Sequence, residues 1–232
     1  MKIKKFIAML ATVMLLLCIW NLKREFAPTM NSAVNSPEKQ RCVVLDAGHG
    51  GFDPGKIGIN GVKEKDVNLD ITLRVGRYLE AQDIRVVYSR LTDESLCGES
   101  TKGQKVQDMK GRIELIKEAA PDLTVSIHQN SYPDESIRGA QVFYYEGSGK
   151  GQEIAMLLQR SLVERVDPDN HRQSKGNKSY YLLKKTSSPI VIAECGFLSN
   201  REEAEQLCDN DYQDKIAWAL AVGILQYLNS ED

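Results

Sequence analysis

Residues 64–82 read EKDVNLDITLRVGRYLEAQ, and the fold turns on whether they form a strand or a helix. Val67, Leu69, Ile71, Leu73 and Val75 alternate with polar neighbours, the period of a half-buried strand. The run has no turn residue except Gly76 and far exceeds the usual strand of about 5–6 residues. A helix buried on most sides fits that length. On either side lie short apolar runs that read as buried strands: Cys42-Val43-Val44-Leu45 before it and Ile84–Tyr88 after it. Further on, Leu123–Ile127, Ala140–Tyr145 and Ile190–Ala193 read the same way. Between them, Val106, Met109, Ile113, Ile116 and Ala120 form a helical stripe at spacings of three and four. Ile154, Leu158, Leu162 and Val166 form another, and Ala217, Leu220, Ile224 and Leu228 a third. Asn200-Arg201-Glu202-Glu203 resembles a capping box, which predicts a helix starting just after Asn200. Strand–helix alternation of this kind predicts a single α/β domain: a twisted, largely parallel mixed sheet with helices on both faces. Sites in such sheets form at the carboxyl ends of the strands.

The remaining chain bounds the setting. Residues 1–25 hold five basic side chains and one acidic one, which leaves 25 basic against 31 acidic residues, a balance of −6, for the rest. No field of positive potential favours nucleic acid as a partner. Met1–Lys5 is basic and Phe6–Trp20 is apolar but for Thr12, the form of an export signal. No small-residue cleavage site follows it, so an uncleaved signal anchor is expected over a cleaved signal peptide. The chain is then expected outside the cytoplasm, touching the membrane only through this segment. Cys18 lacks the small preceding residues of a lipobox. Residues 26–40, rich in Asn, Ser and Pro, read as a flexible linker, and 41–232 as the domain. Five widely spaced cysteines, at 18, 42, 97, 195 and 208, make neither a zinc finger nor a disulfide framework. Cys42 and Cys195 read as small buried hydrophobes, and Cys97 with Cys208 is the one pairing left open.

The chemistry sits at the strand ends. Asp46 and His49 follow the first strand, His128 ends the third and Glu194 ends the run Ile190–Ala193. Two of only three histidines are thus delivered to one edge, while His171 lies in a polar stretch and reads as surface. Two imidazoles and a carboxylate make the three-ligand set of a catalytic zinc site, with water in the fourth place. The loop Gly48-His49-Gly50-Gly51, with Asp53-Pro54-Gly55 after it, lacks a phosphate-loop pattern. Gly147-Ser148-Gly149-Lys150-Gly151 comes closer, yet lacks the first Gly and the final hydroxyl, and reads as a solvated turn.

Four blocks together carry a resemblance. Leu45-Asp46-Ala47-Gly48-His49-Gly50-Gly51, then Gly61-Val62-Lys63-Glu64 through Asn68-Leu69, then Ser126-Ile127-His128-Gln129-Asn130, then Glu194-Cys195-Gly196-Phe197-Leu198-Ser199-Asn200 resemble the zinc-dependent N-acetylmuramoyl-L-alanine amidases of type 3, in the family's order. Ala47 stands where many members have Pro, and residues 96–105 and 167–178 carry no family motif. The resemblance implies one Zn2+ per chain held by His49, Glu64 and His128, with Glu194 as the catalytic glutamate. Asp46 would then orient a ligand histidine or cap the loop, and Asn130 would contact substrate or hold its loop. The implied substrate is peptidoglycan, cut between N-acetylmuramic acid and L-alanine of the stem peptide, with an activating protein as a possible partner. With no wall-binding repeat in the chain, the likeness runs to the sporulation and germination branch, where such cleavage leads to muramic δ-lactam in the spore cortex. A vegetative autolysin or cell-separation amidase is the near alternative, and a non-catalytic peptidoglycan-binding module the alternative from another class. A zinc carboxypeptidase usually carries His-x-x-Glu, whereas here Glu64 follows His49 by fifteen residues.

Overall fold

The strand β1 (Cys42–Ala47) is buried along its whole length, which is why its sequence is apolar without alternation. A computed structural model describes Met14, residues 40–97 and residues 103–230, and Gln40–Asp232 forms one compact unit. But for Met14 and Gln40, the expected signal segment (1–25) and linker (26–40) lie outside the described residues. β1 pairs in parallel with β2 (Arg85–Tyr88) and with β3 (Leu123–Asn130). β3 pairs in parallel with β6 (Ile190–Phe197). β4 (Gln141–Tyr145) runs antiparallel to β6, and β5 (Lys175–Asn177) lies parallel to β4. The order β2-β1-β3-β6-β4-β5 is therefore largely parallel and mixed, as expected.

Residues 64–80 form the helix α1 (Glu64–Glu80). Val67, Ile71, Val75 and Leu79 are fully buried at steps of four, while Leu69 and Leu73 flank them half-buried. The alternation in sequence is thus one helical stripe overlaid on its own flank. Glu64 and Asp66 occupy the first turn, where the helix dipole favours negative charge.

The next helices are α2 (Gln104–Ala119), α3 (Gly149–Arg165) and α4 (Tyr181–Lys185). They are followed by α5 (Arg201–Gln206) and α6 (Asn210–Ser230). α1, α3 and α6 cover one face of the sheet, where Ile154, Leu158, Leu220 and Ile224 meet Leu45, Ile127 and Val191. On the other face Val44, Ile190 and Ile192 pack against Ile116 of α2 and Leu182 and Leu183 of α4.

Some local expectations are revised. Val106 does not belong to a buried stripe: it is 58% exposed, and α2 instead buries Asp108, Arg112 and Ile116. The reason is ionic, because Asp46 at the end of β1 pairs with Arg112. The exposed turn expected at residues 147–151 is limited to its start: Gly147 lies in the turn, and Ser148 then caps α3, its hydroxyl accepting a hydrogen bond from Gly151 N at 3.1 Å. β5 and α4 are too short to leave a periodic signal. β3 and β6 run two and three residues past His128 and Glu194, so both residues stand within their strands and not at the ends. Cys97 and Cys208 are free thiols. Among the described residues no helix is long and apolar enough to cross a membrane.

Candidate active site

The chain leaves β1 through Gly48, whose N–H still donates to Ile127 O at 3.0 Å. His49 then adopts φ +60°, a left-handed conformation that few non-glycine residues take. Its Nδ1 lies 2.9 Å from Asp53 Oδ2, a carboxylate that can accept the Nδ1 hydrogen and so turn Nε2 toward Glu64. That Nε2 lies 3.2 Å from Glu64 Oε2, and Glu64 Oε1 lies 3.0 Å from His128 Nδ1. Glu64 heads α1 and is 4% exposed. Its carboxylate accepts main-chain hydrogen bonds from Lys56 at 2.8 Å and Gln129 at 3.2 Å, and one from Asn68 Nδ2 at 3.3 Å. His128 shares a face of β3 with Ser126 by strand alternation.

One donor atom from each of His49, Glu64 and His128 falls within 4.8 Å of the other two. Imidazole nitrogens with a carboxylate oxygen are the donors zinc takes in catalytic sites. The surrounding backbone is shaped to them. A Cβ on Gly48 would collide with the His128 ring, and one on Gly55 would sit 2.6 Å from Glu64 Oε2. Burial acts to raise the Glu64 carboxyl, but hydrogen bonds to His128 and His49 outweigh it and hold the group well below the usual carboxylate range. Burial likewise acts to depress His128, and Glu64 holds it above the ordinary histidine value. A carboxylate that holds a proton on an imidazole this way would hold a metal cation in its place.

Glu194 faces the triad from the next strand, its Cα directly opposite that of His128. It is 8% exposed. Burial pushes its carboxyl up to about 7, with His128 pulling down and Glu64 pushing up. Its Oε2 has no hydrogen-bond partner among the described residues, although Tyr180 lies beside it. Tyr180 is itself pushed up to about 12 by burial and this neighbouring charge. The whole set opens into a cleft of about 410 Å³. Met109, Leu182 and Ile192 form its apolar wall, and Lys105, whose Nζ is 3.3 Å from Asp53, stands at the rim.

The structure thus gathers His49, Glu64, His128 and Glu194 into one cleft. Asp46 touches neither histidine. It pairs with Arg112 and accepts from Ser126 Oγ at 2.6 Å, and Arg112 in turn donates to His49 O at 2.6 Å. The Asn130 side chain accepts from Ser131 N at 2.8 Å, a bond that holds its own loop. Asp53, Arg90, Arg112 and Tyr180 escaped the sequence reading. Asp53 stands four residues after His49 but reads in the sequence only as part of the glycine-dense loop, and Arg90 carries no local signal.

A His-Glu-His donor set at the carboxyl edge of a parallel sheet, faced by a buried carboxyl group, has the layout of a metal-dependent hydrolase. The family profile described as N-acetylmuramoyl-L-alanine amidase matches residues 43–226. The germination-specific N-acetylmuramoyl-L-alanine amidase of Bacillus subtilis (strain 168) is 36% identical over 198 residues, covering 84% of this chain and 83% of that protein. Among solved structures, the CwlD amidase from Clostridioides difficile, in complex with the GerS lipoprotein, superposes with a TM-score of 0.80 at 38% identity. That match covers 82% of this chain and 100% of the other. The amidase AmiC2 of Nostoc punctiforme gives 0.72 at 33% identity, over 82% of this chain and 97% of that one. The chain belongs to the N-acetylmuramoyl-L-alanine amidase family.

Proposed function

We propose that this amidase is zinc-dependent and hydrolyses the amide between the lactyl group of N-acetylmuramic acid and L-alanine of the stem peptide. The observation that carries this reading is the convergence of His49, Glu64 and His128 within 4.8 Å, opposite Glu194. When bound, zinc supplies a Lewis acid that polarises the carbonyl and lowers the pKa of water to about 7. Glu64 and the two imidazoles hold the ion, and Asp53 fixes the His49 ring. Glu194 accepts the proton of the attacking water and delivers it to the leaving amine of L-alanine. A carboxyl held near 7 suits both halves of that transfer. The apolar wall of the cleft packs against the substrate and excludes competing water.

The biological part of the reading rests on the likeness to the germination-specific enzyme: the product is stem-free muramic acid on the route to muramic δ-lactam in the spore cortex. Peptidoglycan lies outside the membrane, so the chain is exported by its basic and apolar N-terminal segment. A protein partner belongs to the reading as well, because the CwlD amidase was solved in complex with a lipoprotein.

The test is chemical. The purified protein is stripped with a chelator, and peptidoglycan is digested with and without added zinc. New N-terminal L-alanine that depends on zinc is the expected result, whereas polymer retained but uncut would make the chain a binding module. A strain lacking the chain should form cortex without muramic δ-lactam. Normal cortex with failed cell separation would place the enzyme in vegetative growth.

A further inference from the structure

Taking His49, Glu64 and His128 as the metal centre, we propose that Arg90 is a positioning residue for it: one buried guanidinium ties the loop that carries His49 to the helix start that carries Glu64. Arg90 follows β2 and is 3% exposed. Its Nη2 donates to Gly48 O at 3.1 Å and to Lys65 O at 2.7 Å. Gly48 precedes the first ligand and Lys65 follows the second. Nε donates to Ala47 O at 3.1 Å and Nη1 to Thr92 O at 3.1 Å. All of these acceptors are main-chain carbonyls.

A buried cation satisfied only by backbone is a costly way to fill space, since apolar side chains of similar volume often serve stability as well or better. What the guanidinium supplies is a rigid fork of donors that fixes several carbonyls relative to one another. The loop needs such a hold. His49 sits at φ +60° between Gly48 and Gly50, and a Cβ on Gly50 would come within 2.8 Å of Arg90 Nε, so the loop closes directly onto the guanidinium. Arg112 grips the same loop through Ala47 O and His49 O. Arg90 reaches across to the helix as well, and so sets the distance from His49 to Glu64.

The test compares wild type with Arg90→Lys, which keeps the charge but not the fork. Folding of the chelator-treated protein is followed by circular dichroism and thermal unfolding. Zinc affinity is read by competition with a chromophoric chelator, and ligand geometry by the visible absorption of the Co2+ form. We expect R90K to fold, to bind zinc roughly 10–100-fold more weakly and to give an altered Co2+ spectrum. Leu158→Ala, in the core between α3 and α6, serves as control: it lowers the unfolding temperature and leaves zinc affinity at the wild-type value. Folded R90K with wild-type zinc affinity and Co2+ spectrum overturns the proposal. If R90K does not fold, Arg90→Gln, which retains two N–H donors, is judged by the same criteria. Wild-type protein that takes up no zinc sinks the metal centre itself, a result distinct from equal binding by wild type and variant.

Discussion

Moving the Glu194 carboxyl out of water on β6 raises its proton affinity, and the nearby His128 reverses only part of that rise. The group acts as a base only when ionised, so its contribution is lost as pH falls through its pKa. A cation in the neighbouring triad draws that value down. The acid limb of kcat against pH should therefore fall at or below about 7. Glu194→Gln should remove that limb and lower kcat by roughly 10²–10⁴-fold at unchanged zinc content. Measured kcat equal to wild type in this variant would remove Glu194 from the chemistry. At this scale the sequence was readable where chemistry and local pattern coincide. His49, His128 and Glu194 are rare residue types placed where apolar runs stop. Arg90 and Arg112 were not readable as parts of the site, because the bonds that tie them to it reach Lys65 O and Ala47 O, 25 and 65 residues away in the chain.

At the scale of elements, the start of α5 is tied to the strand that carries Glu194. The Asn200 side chain accepts from Glu203 N at 3.0 Å. The Glu203 carboxylate, freed from closing the capping box, accepts from Phe197 N at 2.8 Å and Gly139 N at 3.0 Å. One short helix thus pins the end of β6 and the approach to β4. Asn200→Ala should cost about 1 kcal/mol, the usual value of a lost N-cap, read from the urea midpoint at constant slope. An unchanged midpoint would show the cap to be idle. The capping pattern announced this helix, and the α2 stripe held at Met109, Ile113 and Ile116 but not at Val106. Its apolar stripe suggested burial of Val106, yet the inward face is chosen by the ion pair with Asp46 across the sheet edge.

Across the whole molecule, the buried cluster of Asp46, Arg112, Asp108 and Ser126 joins β1, α2 and β3 beneath the cleft. Burial acts to raise the Asp46 carboxyl, but the Arg112 charge and the Ser126 hydrogen bond outweigh it and hold the group below its ordinary value of 3.8. A depressed carboxylate stabilises the fold above its unfolded pKa, and this contribution is lost as pH falls through the folded value. Asp46→Asn should therefore destabilise by about 3 kcal/mol at pH 7, the lower end for a broken buried pair because Asp108 still faces Arg112. The gap to wild type should narrow once pH drops below about 4. Urea unfolding of both proteins at neutral and acid pH checks this, and a gap independent of pH would refute it.

The order of the longer strands and helices, the apolar residues of the main core, and the residue types able to bind a metal were set by local pattern. Periodicity and strand ends are properties of neighbouring residues, and they survive in the sequence as written. Which strands lie side by side, which face of α2 turns inward, and how Asp53, Arg90 and Arg112 brace the ligands were decided by the tertiary structure alone. Those relations are hydrogen bonds and ion pairs between distant segments, and their geometry exists only once the sheet has brought those segments together.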